Sequence, residues 1–157
     1  MTPQNIIDEV RIVTLDRDAT AYRDSDADLL KWVNDAMGIF VTLRPDLFIE
    51  SGTHTCTAGA EQTVSFTGCT QIVDVPRVVG GGAITPASRA TYDAFKPAWY
   101  SDTAGAATNW MQHQDVDSKF YLYPPAAITQ SVEVLYIKTP ATLALGDSIP
   151  LSDKYRP

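Results

Sequence analysis

The chain has 157 residues, 45% of them apolar and 20% charged, which fits a soluble globular domain, alone or with an appendage, able to bury a core without metal or disulfide support. Nineteen carboxylates against twelve Lys and Arg leave a formal net charge of −7, which excludes tight wrapping of nucleic acid, because phosphate binding needs clustered cations. The same charge suits a wall along which DNA slides without sticking.

Residues 1–46 read as a helical segment. In "NIIDEVRIVTL" the spacing of Ile6, Val10 and Val13 predicts a helix. The β-branched content of that stretch leaves a strand open. The opening "MTPQNIIDEVRIV" has an acidic pair and no long apolar run, so a secretory signal is not expected. Synthesis in the cytosol with reduced thiols is the expectation. No stretch has the apolar length of a membrane-spanning helix.

A polar loop, "DRDATAYRDSD", leads to the clearest element. Ser25 suits the N-cap, and Asp26 and Asp28 suit the first turn, where carboxylates meet the positive end of the helix dipole. Leu29, Trp32, Val33, Ala36, Met37 and Phe40 then recur at steps of three and four, with Lys31, Asn34 and Asp35 on the other face. "RPD" at 44–46 ends the helix, since Pro45 disfavours helical backbone at Arg44.

From residue 47 to 151 short β-favouring runs alternate with turn residues: "THTCT", "QTVSF", "QIVDVPRV", "AITPA", "NWMQHQ", "KFYLYP", "SVEVLYI". This pattern predicts an antiparallel β-sandwich or barrel-like domain, so the fold class expected is α+β, N-terminal helices followed by that domain. "SVEVLYIKTP" places Val132, Val134 and Tyr136 on one face. "SRATYDAF" suggests a helical turn within the sheet, and "VVGGGAITPAS" a loop.

Candidate chemistry is sparse. His54, Cys56, Cys69 and His113 are the soft metal ligands, and their spacing fits no zinc pattern. His54 and Cys56 share a strand face, and a buried thiol is the expectation there. Whether Cys56 pairs with Cys69 is left open. Asp24, Asp26, Asp28 and Asp35 imitate a calcium loop, but Leu29 stands where that loop requires glycine, so these acids belong to a helix start. Gly80–Gly82 lack the Lys and Ser/Thr of a phosphate loop, and no nucleophile elbow is present. Asp115 and Asp117 fit a turn. No residue anchors an enzyme or a cofactor, and neither is expected.

The aromatic run "KFYLYPP" at 119–125 carries the remaining question. Phe120 and Leu122 are expected to face a core, Tyr121 and Tyr123 the opposite side, and Pro124 and Pro125 to end the strand. With only Lys119 nearby, a base-stacking platform is not expected. Trp99, Tyr100 and Trp110 are further aromatic candidates. A β-sandwich module binding a glycan or peptide on these aromatics is one alternative.

The ordered set "DLLKWVNDA" with "LRPD", then "VDVPRV", "KPAWY", "FYLYPP", "VEVLYIKTP" and "IPLSDKY", from about Asp28 to Tyr155, resembles a family of bacteriophage head-to-tail adaptor proteins. The resemblance implies a structural virion protein at the head–tail junction, assembled in the host cytoplasm. Its implied partners are a portal protein, a tail or nozzle protein and further copies of itself in a ring, commonly twelvefold. Double-stranded DNA would pass through the channel without specific binding, during retention and ejection, and no membrane is involved. "IPLSDKY" opens a C-terminal helical region in that family, so 152–157 are expected to be its truncated start, capped by Ser152. The interface candidates are Tyr121, Tyr123, Trp99, Tyr100 and Tyr155.

Overall fold

A computed structural model of the chain describes residues 1–151. Tyr155 and the helix start anticipated at Ser152 lie outside the described residues. The chain divides into two compact units, one formed by residues 1–48 with 139–157 and the other by Ile49–Lys138.

In the first unit, helix α1 spans Pro3–Val13 and helix α2 spans Asp26–Leu43. Thr2 caps α1, with Asn5 returning its side chain to the Thr2 backbone, and Pro3 at the first turn loses no hydrogen bond there. The strand alternative for this stretch is therefore not realised. Ser25 Oγ accepts from the Asp28 amide at 3.1 Å, the cap expected from sequence. The chain leaves α2 at Arg44 and turns through a short 3-10 helix, Pro45–Phe48, whose Phe48 ring meets Phe40 edge-on.

The buried face of α1 is Pro3, Ile7 and Arg11, not the Ile6–Val10–Val13 face anticipated from spacing. Arg11 is buried because its guanidinium is fully engaged. It donates to Asp16 at 2.8 Å, to Asp26 at 2.6 Å and to the Asp24 carbonyl at 3.0 Å, and lies 3.5 Å from the centre of the Tyr22 ring. Of the acids that imitate a calcium loop in sequence, Asp26 by its carboxylate and Asp24 by its backbone carbonyl here hold a cation of the chain itself. The apolar stripe of α2 is likewise only partly covered. Leu29 and Val41 are buried, whereas Trp32 is 55% exposed.

Residues 139–151 pack in this same unit. Asn34 of α2 accepts from the Leu143 amide at 2.8 Å and donates to the Leu143 carbonyl at 3.1 Å. Leu143 and Ile149 are buried. The Gln4 amide donates to the Leu145 carbonyl, and the Ile149 amide to that of Met1.

The second unit holds seven strands: β1 Ile49–Thr55, β2 Gly59–Thr63, β3 Cys69–Val78, β4 Thr85–Pro86, β5 Asn109–Gln112, β6 Lys119–Ala126 and β7 Ser131–Lys138. Helix α3, Arg89–Phe95, and a 3-10 turn, Trp99–Ser101, lie between β4 and β5. One sheet runs β1-β7-β3 and the other β2-β6-β5-β4. Both are open, so the α+β expectation is met with a sandwich rather than a closed barrel. All pairings are antiparallel except β4 with β5, whose connection through α3 is a crossover long enough to bring them parallel.

The sandwich core lies between the inner faces. Ile72, Val75, Val132 and Val134 of the first sheet meet Trp110, Phe120 and Leu122 of the second. Each such side chain contributes roughly 1.5–3 kcal/mol by leaving water. The Trp110 indole N–H donates to Asp74 across the core at 2.9 Å, so its burial leaves no orphaned donor. Gln62, fully buried, accepts from the Thr57 amide and donates to the Thr57 and Gly59 carbonyls, which fixes the β1–β2 turn.

Pro124 and Pro125 do not end β6, which continues to Ala126. They fall in the irregular stretch between the Glu61–Tyr121 and Gly59–Ala126 pairs, where no ladder bond calls for an N–H. Carbonyls are used here instead: that of Tyr123 accepts from the Thr108 amide and that of Pro125 from the Gly105 amide. The Tyr123–Pro124 peptide is cis.

Candidate protein interface

Strand alternation sends Phe120 and Leu122 of β6 inward and Tyr121 and Tyr123 outward, onto the outer face of the four-stranded sheet. There α3 and the 3-10 turn deliver their own rings. Tyr92 lies 4.7 Å from Tyr123, and Trp99 stands edge-on to Tyr121 at 5.6 Å. His113 stacks on Tyr121 at 5.3 Å and 21°. Beneath them sit Met111 and Ala60, both buried.

Cations finish the layer. The Arg89 guanidinium stands 5.3 Å from the Tyr121 ring centre, and Lys96 Nζ 5.2 Å from that of Tyr123. Lys96 also donates to the Tyr123 hydroxyl at 2.9 Å and forms an ion pair with Asp102. The Asp102 bond raises the Lys96 pKa above its ordinary value, and the same bond lowers that of Asp102. Burial raises the Tyr92 phenol, which donates to Asn109 at 3.0 Å.

Four of the five anticipated interface residues therefore meet in one layer, with unequal access. Trp99 is 2% exposed, its N–H donating to Asp93 at 2.8 Å, so it supports the layer from below. Tyr121 and Tyr123 are half-buried. Tyr100 is 63% exposed and Phe95, at the end of α3, 87%. Sequence reasoning missed Arg89, Tyr92, Phe95 and Lys96. Their signal was present: Arg89, Tyr92 and Lys96 recur at helical steps of three and four, one face of a short helix aimed at the tyrosines.

The rings offer edges and an engaged hydroxyl, which suits packing by another protein more than the flat stacking of a sugar ring. Burial raises the Cys56 thiol to about 11, which leaves it unreactive, and both Cys56 and Cys69 are free thiols. His113 Nδ1 accepts from the amides of Asp115 and Val116, in the turn expected there. Among the described residues no three His, Cys, Asp or Glu side chains are grouped to hold a metal ion. No helix among them is long and apolar enough to cross a membrane.

The sequence model of a family described as SU10 adaptor protein matches residues 1–157. No curated protein matches the chain.

Proposed function

The chain belongs to the SU10 adaptor protein family, a family of structural phage adaptors, and on that premise we propose that it is the head-to-tail connector of its virion. In this role it docks on the portal ring, attaches the tail or nozzle protein and continues the DNA channel used for genome retention and ejection. It acts as a ring of copies, twelve by analogy with the family, and carries out no catalysis. Assembly takes place in the host cytoplasm before the particle is complete.

The observation that carries this role is the whole-chain family match. Support comes also from the surface. A closed ring needs a heterologous contact, one patch meeting a different patch on the neighbour. The aromatic layer with Tyr100 and Phe95 standing proud has the composition of such a patch, aromatic at its centre with charged groups at its edge. Tyr121, Tyr123, Trp99 and Tyr100 are therefore proposed to build this interface, together with Phe95. The net charge of −7 per protomer, multiplied around a ring, would keep duplex DNA from adhering to the channel.

The test is to mix the purified chain with portal rings and image the particles by negative stain. Added density at the tail-facing end of the portal is the expected result. Portals left bare at that end would sink the connector role. A glycan or peptide screen then separates the binding-module alternative, since a ligand lost on Tyr121→Ala with Tyr123→Ala would favour it.

A further inference from the structure

The helical unit contains a second, unrelated surface. Ile6 and Val10 of α1 face Leu29, Trp32, Val33 and Ala36 of α2 across an open groove of about 190 Å³ with an almost wholly apolar lining. Beyond the groove the same ridge of α2 continues outward through Ile39, 62% exposed, and Leu43. These residues follow Trp32 at helical steps, so they form one stripe. An apolar stripe of this length left in water is characteristic of a surface that receives a partner.

Charge defines what the partner must carry. Asp28 and Asp35 lie four residues before and three after Trp32, so both flank the stripe on its α2 side. The two helices contain only two cations. Arg11 is buried in its own ion pairs, and Lys31, one residue before Trp32, is turned further round the helix from it than Asp28 or Asp35. The rim is therefore apolar and negative. A second copy docking groove to groove would bring the same acids against it and be repelled.

We propose that the α1–α2 groove is a docking site for a basic amphipathic helix of another protein, a Leu- or Met-type ridge filling the groove with Lys or Arg meeting Asp28 and Asp35. This is helix-in-groove recognition, in which spaced apolar anchors give affinity and flanking charges give orientation and selectivity. The inference rests on the adaptor role only for the source of that helix, a virion partner. The groove and its charge are independent of it.

Trp32 makes the site readable, because the other two tryptophans, Trp99 and Trp110, are buried. Two synthetic helical peptides sharing one leucine ridge, flanked by Lys in one and Glu in the other, are titrated into the full chain. The Lys peptide should blue-shift Trp32 emission, protect it from acrylamide and bind about fivefold tighter than the Glu peptide, as expected for two solvent-exposed charge pairs. The emission change should vanish in Trp32→Phe. Asp35 is exposed in mid-helix, so Asp35→Lys should fold normally by circular dichroism and should erase or invert the preference. The inference is overturned if neither peptide shifts the emission, if both bind equally, or if Asp35→Lys keeps the preference. Selective peptide binding beside bare portals would remove the connector role alone. Decorated portals without peptide selectivity would remove this site alone.

Discussion

His54 points inward from β1, edge-on to Phe120 at 5.8 Å, with its Nε2 lacking a partner. Burial holds its pKa below the ordinary value of 6.5. The unfolded chain therefore takes up the proton first as pH falls. The stability His54 permits is full above about pH 6.5 and is lost from there down toward the folded pKa. Urea midpoints should fall between about pH 7.5 and 5.5, and His54→Leu should flatten that slope whatever it does to the midpoint itself. An unchanged slope in the variant would assign the acid sensitivity to other groups. Gly52, also on β1, is constrained by space. A Cβ there would stand 2.8 Å from two ring atoms of Phe66, whose ring is held 4.8 Å from Tyr136. Gly52→Ala should cost about 1–3 kcal/mol in equilibrium unfolding, through overpacking rather than backbone strain.

At the scale of elements, α2 does three tasks with three faces. One side covers α1, one carries the open stripe, and Asn34 ties down residues 139–151. Asn34→Ala removes both bonds to Leu143 and leaves half-buried backbone groups without partners. It should destabilise the segment by about 1–3 kcal/mol. Limited proteolysis should then cut first between residues 139 and 151, while the β-sandwich stays protected. Equal protection in variant and parent would show that Leu143 and Ile149 hold the segment without Asn34. The start of α2 was legible because Ser25 and the acids after it act locally. The true buried face of α1 was not, because Arg11 looks like a surface residue until Asp16, Asp24 and Asp26 converge on it.

For the whole molecule, the two surfaces have different physical characters and should respond differently. The aromatic layer is a contact of rings whose nearest ions already pair among themselves, Lys96 with Asp102 and Arg89 with Asp93. Its binding should depend little on salt. Phe95→Ser with Tyr100→Ser removes two side chains standing in solvent, so folding should be unchanged by circular dichroism while assembly on portal weakens about tenfold or more, the loss expected when exposed aromatic anchors are truncated. Normal assembly of a folded double variant would remove this layer from the interface. The α1–α2 groove, rimmed by Asp28 and Asp35, should instead lose affinity as salt rises.

The sequence by itself determined the class of the strongly patterned elements. Alternation in "SVEVLYI" and "KFYLY" and three-to-four spacing in "DLLKWVNDAM" are local signals, set by the pleat and the helical turn, and the α+β order follows from them. The same local rule sent Phe120 and Leu122 to the core and the two tyrosines outward. What only the tertiary structure decided is which apolar faces are covered. Val10 and Trp32 resemble core residues in sequence, yet their exposure depends on what a distant element brings opposite them. The continuation of β6 through Pro124 and Pro125 was decided the same way, by an irregularity in the partner strand that makes their missing N–H groups harmless. The tyrosines of "KFYLYPP" became a candidate interface only when α3 supplied Arg89, Tyr92 and Lys96, because burial and charge are properties of neighbours in space, not of neighbours in the chain.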